Sequence, residues 1–446
     1  MASDIAVERS VRDMIYPRRS YSDLWEISLL KISNGVTALI QKNHNRNTVV
    51  AQCHWRFSYQ RIIDAEIAHV LEHLLLRRRR EKSERALKRN IDSLGDITAW
   101  VLDERIGIGA DVPVEYWHRV IPMMRKLVFL GDITQDELDN EVKIIRTELR
   151  EDASRVGAYA VKLLYRRCLP RSPASSIAGG FIQNYSKIWL DDLLEFSERN
   201  FTASNLVIGV SGDIKTGRIQ QQIVQSFGGL KSTGTEPSTQ LNCKFRKGIT
   251  ISTRKSSELC GVALAHLIDT RYVPQEVISL FQVLTSSLWS SPLFNAVRTE
   301  GAYGCNIWHD QRANNDFICV SFAARPDSVK GILRGYFNLL NRLKSRGPSD
   351  SEITLAKKHI RTQAVIRASN IRERTMDLCE DVLNRGSVMP FSEWIKRIMA
   401  VDHNLLRKSL KEMLHPQGGH LVIHGNTRGF RSDKGLDQFI WQNEKR

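Results

Sequence analysis

The sequence has no long apolar run: nothing in its 446 residues approaches the ~18 consecutive apolar residues that cross a bilayer. Its opening stretch, MASDIAVERSVRDMIYPRRSY, lacks an apolar h-region and carries Asp4, Glu8 and Asp13. We therefore expect neither a secretory signal nor a mitochondrial presequence there. The seven cysteines are an odd number, widely scattered and without a CxxC pair. They read as reduced thiols in a cytoplasmic or similar compartment rather than as a disulfide framework. No Gly-rich phosphate loop of GxxxxGK[ST] or GxGxxG type appears, which removes the common nucleotide-binding readings.

What is present is ordinary globular material, 42% hydrophobic and 26% charged, long enough for two or three cores. Charge is the exception. Sixty-five Lys and Arg against 49 Asp and Glu leave +16, a surplus that attracts nucleic acid, an anionic membrane or an acidic peptide, or simply keeps the chain soluble. The run Arg77–Arg80, continued by Lys82, Arg85, Lys88 and Arg89, reads as a solvated basic face. It lacks the interleaved aromatics of a single-strand binder, so nucleic acid is not the expected partner.

Residues 1–22 read as an irregular tail. From residue 23 to 227, strand-like runs (WEISLLKISNGVTALIQKN, with a turn at Ser33-Asn34-Gly35, and TVVAQCHWRF) precede helical periodicity from Asp64. Residues 228–245 are rich in Gly, Ser, Thr and Pro, as a linker should be. The pattern then restarts over 246–446 with ITIST, GVALAHLI and DFICVSFAA. The first half closes on NLVIGVSGD and the second on HLVIHGN, an internal echo that argues for two α+β units of similar build.

One segment carries chemistry. In DAEIAHVLEHLLL, residues 64–76, His69, Glu72 and His73 form HxxEH. On a helix, Ile67, Val70, Leu71 and Leu74 make a core-facing stripe, and the two histidines, four apart, project together from a different face. Two imidazoles at this spacing close on one Zn²⁺, and Glu72 falls beside them, where a general base for water is needed. Chance alone gives about 0.02 such motifs in a chain with this histidine content. Further on, ELDNEVKIIRTELRED places Glu141 and Glu148 nearly two turns apart on one flank of the stripe Leu138, Val142, Ile145 and Leu149. Glu148 as third ligand, with Glu141 holding a ligating histidine, would give two carboxylates at a buried edge the positive partner they need. Pairing with Lys143, Arg146 or Arg150 is the alternative.

HxxEH followed by 74 residues and then Glu, with another Glu seven before that, resembles the pitrilysin/insulinase zinc metallopeptidases and their half-size branch, which includes mitochondrial processing peptidase. SNGVTALIQKN is similar to that family's opening hairpin and SSPLFNAVRTEGAYGCN to its Arg…Tyr motif. The resemblance implies two homologous domains, each a mainly antiparallel sheet packed with helices, that form half of a clam-shell chamber. It also implies a zinc endopeptidase with one Zn²⁺ per chain, acting on unfolded peptides, as in removal of a leader. Arg298 would hold substrate opposite the metal, and Tyr303 would donate to the developing oxyanion. The peptide would add as a strand along Thr98, Ala99 and Trp100. Since this chain carries both motifs, a homodimer is expected, with a heterodimer or a non-catalytic partner subunit as alternatives. The sequence departs from the family at Glu66, where Gly is usual, at Thr98, where Asn is usual, and at the arginines after His73.

Overall fold

A computed structural model describes residues 26–44, 46–57, 59–76, 93–102, 104–128, 133–175, 179–232, 243–288, 290–302, 305–312, 314–414 and 418–430. The tail, the Arg77–Arg80 run, most of the linker and Tyr303 lie outside these residues. The first half contains strands β1 (Glu26–Lys31), β2 (Thr37–Lys42), β3 (Thr48–Arg56), β4 (Asp96–Leu102), β5 (Arg105–Pro113) and β6 (Leu206–Gly212). Its helices are α1 (Asp64–Leu76), α2 (Trp117–Val128), α3 (Gln135–Ser154), α4 (Val156–Cys168), α5 (Leu190–Asn200) and α6 (Thr216–Phe227). The second half contains β7 (Gly248–Thr253), β8 (Cys260–Leu267), β9 (Cys305–Arg312), β10 (Asn315–Ala324) and β11 (Gly419–Gly425). With them come α7 (Gln275–Gln282), α8 (Pro292–Thr299), α9 (Pro326–Ser345), α10 (Asp350–Ser369), α11 (Ile371–Arg385), α12 (Phe391–Ala400) and α13 (His403–Met413).

The sheets run β1-β2-β6-β3-β5-β4 and β7-β11-β8-β10-β9. Without β1 the two orders match position for position, and in each the last strand pairs in parallel with the first while the remaining pairs are antiparallel. The echo between NLVIGVSGD and HLVIHGN is therefore β6 against β11, two fully buried central strands. The fold is α+β, with two units of one topology.

Both faces of each sheet are covered, which explains why these strands read as continuous apolar runs. Along β3, Val49, Ala51, Cys53 and Trp55 enter the main core of the first half, while Gln52, His54 and Arg56 turn to the other face. That other face is covered by α11 from the second half. Leu378, Cys379 and Val382 bury against Leu39 and Val207, and Gly209 is needed because a Cβ there would lie 2.5 Å from Cys379 Sγ. Reciprocally, α4 from the first half packs Ala160, Leu164 and Cys168 on Ala263, Phe317, Cys319 and Val422 of the second sheet. Each half thus lends one helix to its counterpart.

Each lent helix also pins an edge strand. Arg372 on α11 donates to Asp96 Oδ2 (2.7 Å), Asp111 Oδ2 (2.8 Å) and Thr98 Oγ1 (3.3 Å), tying down β4. Tyr165 on α4 donates to Asp310 Oδ2 (2.5 Å) and accepts from Trp308 Nε1 (3.1 Å), tying down β9.

Candidate metal centre

The site starts from the anchoring of α1. Asp64, fully buried at its first turn, accepts from the Gln60 and Arg61 N–H groups (2.8 and 3.0 Å), from Arg61 Nε (3.0 Å) and from Arg199 Nη2 on α5 (3.0 Å). A carboxylate here satisfies donors at the helix start and complements its dipole. Nearly all of α1 is buried, on more than the single stripe expected from periodicity: α3 and the loop 179–185 close over the histidine face, leaving His69 6% exposed. Asp64 has no motif around it and was not anticipated.

His69 Nε2 and His73 Nε2 both turn toward Glu148 Oε2 on α3, at 3.8 and 3.3 Å. Glu72 Oε2 lies 4.0 and 3.8 Å from the same two nitrogens. Two donors held ~2.0–2.1 Å from one tetrahedral zinc are themselves about 3.3 Å apart, so these separations suit a shared cation. His69, Glu72 and His73 each offer one ligand atom, all within 4.8 Å of one another.

The hydrogen bonds behind the rings fix their tautomers. Tyr185 OH donates its single proton to the Gly179 carbonyl (2.9 Å), so toward His69 Nδ1, 2.8 Å away, it can only accept. His69 therefore carries its proton on Nδ1 and a bare lone pair on Nε2. Burial, helped by the nearby His73 and Lys162 charges, pulls its pKa down to about 3, so the ring is neutral. His73 Nδ1 donates to buried Glu141 Oε2 at 3.3 Å, the carboxylate–histidine arrangement that orients a metal ligand. Burial would depress His73 too, but the Glu141 hydrogen bond and the charges of Glu72 and Glu148 outweigh it and raise its pKa. With His73 deprotonated, two lone pairs and two carboxylates converge on one point, an arrangement that calls for a cation. The residues present fit a zinc ion.

The flank of α3 divides as its spacing requires. Leu138, Ile145 and Leu149 are buried and Val142 partly so; Glu141 is 5% exposed, whereas Glu148 at the mouth keeps 47% of its side chain accessible. β4, with Thr98, Ala99 and Trp100, is the terminal strand of the first sheet and packs beside α1. Ala99 faces the main core; the Trp100 indole lies across Gly107 and Gly109 of β5 and against His54, ring centroids 5.4 Å apart; Thr98 is held by Arg372. Arg298 sits on α8 in the second half, its guanidinium 5.4 Å over the Phe294 ring.

Residues 187–360 match the family model described as Peptidase M16 inactive domain, the M16 class being the pitrilysin/insulinase peptidases. The chain is similar to this family over that segment. A probable mitochondrial-processing peptidase subunit beta of Arabidopsis thaliana is 20% identical, over 78% of this chain and 68% of that protein. Cytochrome b-c1 complex subunit 1 of Bos taurus is 21% identical, over 78% of this chain and 75% of that protein. A solved protease from Helicobacter pylori shares the fold, with a TM-score of 0.79 at 13% identity over 90% of this chain and all of that one. M16 relatives therefore include both a processing-peptidase subunit and a subunit of another complex. The matched segment 187–360 excludes the metal-site residues 69–148 of this chain. Among its described residues no helix is long and apolar enough to cross a membrane.

Proposed function

We propose that this chain is a zinc endopeptidase that cuts extended peptides, its metal held by His69, His73 and Glu148. The convergence of two Nε2 lone pairs and the carboxylates of Glu148 and Glu72 within 3.3–4.0 Å carries the reading. When bound, zinc supplies a lowered pKa for a water molecule and polarises the scissile carbonyl. Glu72, beside both Nε2 atoms, takes a proton from the attacking water and hands it to the leaving amine. Glu141 and Tyr185 keep the two rings in the metal-facing tautomer. The peptide main chain pairs with the outer edge of β4, which gives affinity with little demand on side-chain identity, and the +16 charge favours an acidic peptide. Arg298 and Tyr303 act from a second copy of the chain in a homodimer, on the substrate side opposite the metal. Seven free thiols suit a cytoplasmic, reducing setting for this peptide-processing role.

A non-catalytic subunit is the second reading, favoured by the inactive-domain description of the family match and by the b-c1 relative. Metal analysis of the purified chain and cleavage of a peptide library by wild type and Glu72→Gln separate the two. The peptidase reading expects about one zinc per chain in both proteins and cleavage by the wild type alone. Absent zinc with equal lack of cleavage gives the chain to the second reading.

A further inference from the structure

A buried carboxylate one turn before the motif is not used by the chemistry above. Glu66 is 1% exposed, and its Oε1 accepts from the Phe181 N–H (2.8 Å) and from Asn184 Nδ2 (2.6 Å). Burial raises its pKa, against those two hydrogen bonds. Such a group is costly to bury and stays only where its partners compensate it. Its partners bracket one loop. Gly179, Gly180, Phe181 and Asn184 lead directly into Tyr185, whose hydroxyl sets the His69 tautomer. Gly180 adopts φ +48°, and a Cβ there would lie 2.3 Å from Glu66 Cδ, so backbone and carboxylate are fitted to each other. Tyr185 is 1% exposed and is carried by that loop, so a shift of the loop moves its hydroxyl.

We infer that Glu66 is a positioning residue for the metal: it clamps the loop 179–185 so that Tyr185, oxygen turned to His69 Nδ1, holds Nε2 bare and aimed at the cation. The role rests on the metal reading above, and it deepens that reading by extending the ligand support through two further residues, 66 and 185, that touch no metal. Because Glu66 acts through Tyr185, removing both should cost no more than removing Tyr185 alone.

The test is a double-mutant cycle on zinc affinity, measured by competition with a chromogenic chelator on the full chain. Tyr185→Phe, which deletes the acceptor, should weaken zinc binding about 10–100-fold. Glu66→Ala should fall in the same range, the double variant should match Tyr185→Phe, and Glu66→Gln, which keeps an acceptor for both donors, should stay near wild type. Should Glu66→Ala fail to fold, Asn184→Ala, which removes one of its two donors, takes its place in the cycle. In metal-free protein the ¹⁵N spectrum of the His69 imidazole should show the Nδ1–H tautomer, and Tyr185→Phe should bring in the other. Wild-type affinity in Glu66→Ala, or losses that multiply in the double variant, overturns the clamp while leaving the metal site standing. A wild type that binds no zinc overturns both together.

Discussion

Glu141→Gln isolates one charge. Glu141 is 5% exposed and accepts from His73 Nδ1 at 3.3 Å; glutamine keeps an acceptor at that place and removes only the negative charge that makes the ring a stronger ligand. Loss of such a partner weakens metal affinity by about 10–100-fold. At free zinc one hundred times the wild-type Kd, binding adds ~2.7 kcal/mol to the stability of the wild type. The variant then gains only ~1.4 kcal/mol at the mild end and ~0.4 kcal/mol at the severe end. Unfolding entropy of roughly 2.1 cal/mol/K per residue over this chain is about 0.9 kcal/mol/K, so zinc should raise the wild-type Tm by about 3 °C. In the variant the rise should be about 1.5 °C or less. Differential scanning calorimetry with matched zinc and chelator buffers reads this, and the difference cancels whatever the substitution does to the metal-free protein. Equal zinc-induced shifts in the two proteins would refute the argument that Glu141 tunes His73.

Three other perturbations test the frame around the site. Leu378→Ala, in the small core where α11 covers the first sheet, should destabilise the protein by about 2–5 kcal/mol in urea unfolding, as a fully buried leucine does. A change under ~0.5 kcal/mol would mean the lent helix is not held by packing. Arg372→Met should loosen β4 by about 1–2 kcal/mol, since its partners Asp96 and Asp111 are partly solvated. Hydrogen exchange should quicken over residues 96–102 and stay unchanged in β8 and β10. His54 and His266 are buried, and desolvation, aided by Arg105 and Lys344 respectively, lowers their pKa values to about 3 and about 4. The unfolded chain, with an ordinary value near 6.5, binds these protons first, so their stabilisation is present above pH ~6.5 and is lost as pH falls toward those lower values. At pH 5 each should cost roughly 2 kcal/mol relative to pH 7.5, and His54→Gln should remove its share of that loss; an unchanged pH slope in the variant would contradict the assignment.

The parts of the fold that follow from local pattern were legible. β2, β3, β8 and β10 appear where apolar runs and turn residues place them, and α1 begins at Asp64, where helical periodicity starts. The match of β6 with β11 was visible because both are central strands whose every residue is buried, so each keeps a similar apolar text. The exchange of α4 and α11 between the sheets was not visible. A helix with an apolar stripe gives the same periodicity whichever sheet it covers, and nothing in IRERTMDLCEDVLNR names Leu39 as its neighbour. His69, Glu72 and His73 announce themselves because one helix sets their spacing, and Glu141 and Glu148 do so because they share another.

The supports of those ligands obey a different rule. Tyr185 stands 116 residues from His69, and Glu66 meets Phe181 and Asn184 across similar separations, so no periodicity links them. What the sequence did offer was an anomaly: a glutamate in the apolar first turns of a buried helix, where the family usually has glycine. A charged group in such a place has a partner or it is not tolerated. The partner here is a backbone N–H at a loop whose glycine makes room for the carboxylate, and that loop delivers the hydroxyl that orients His69. Read as a demand for donors rather than as drift from a pattern, the misplaced charge predicts that a donor-bearing segment closes over Glu66, while only the fold names that segment as 179–185.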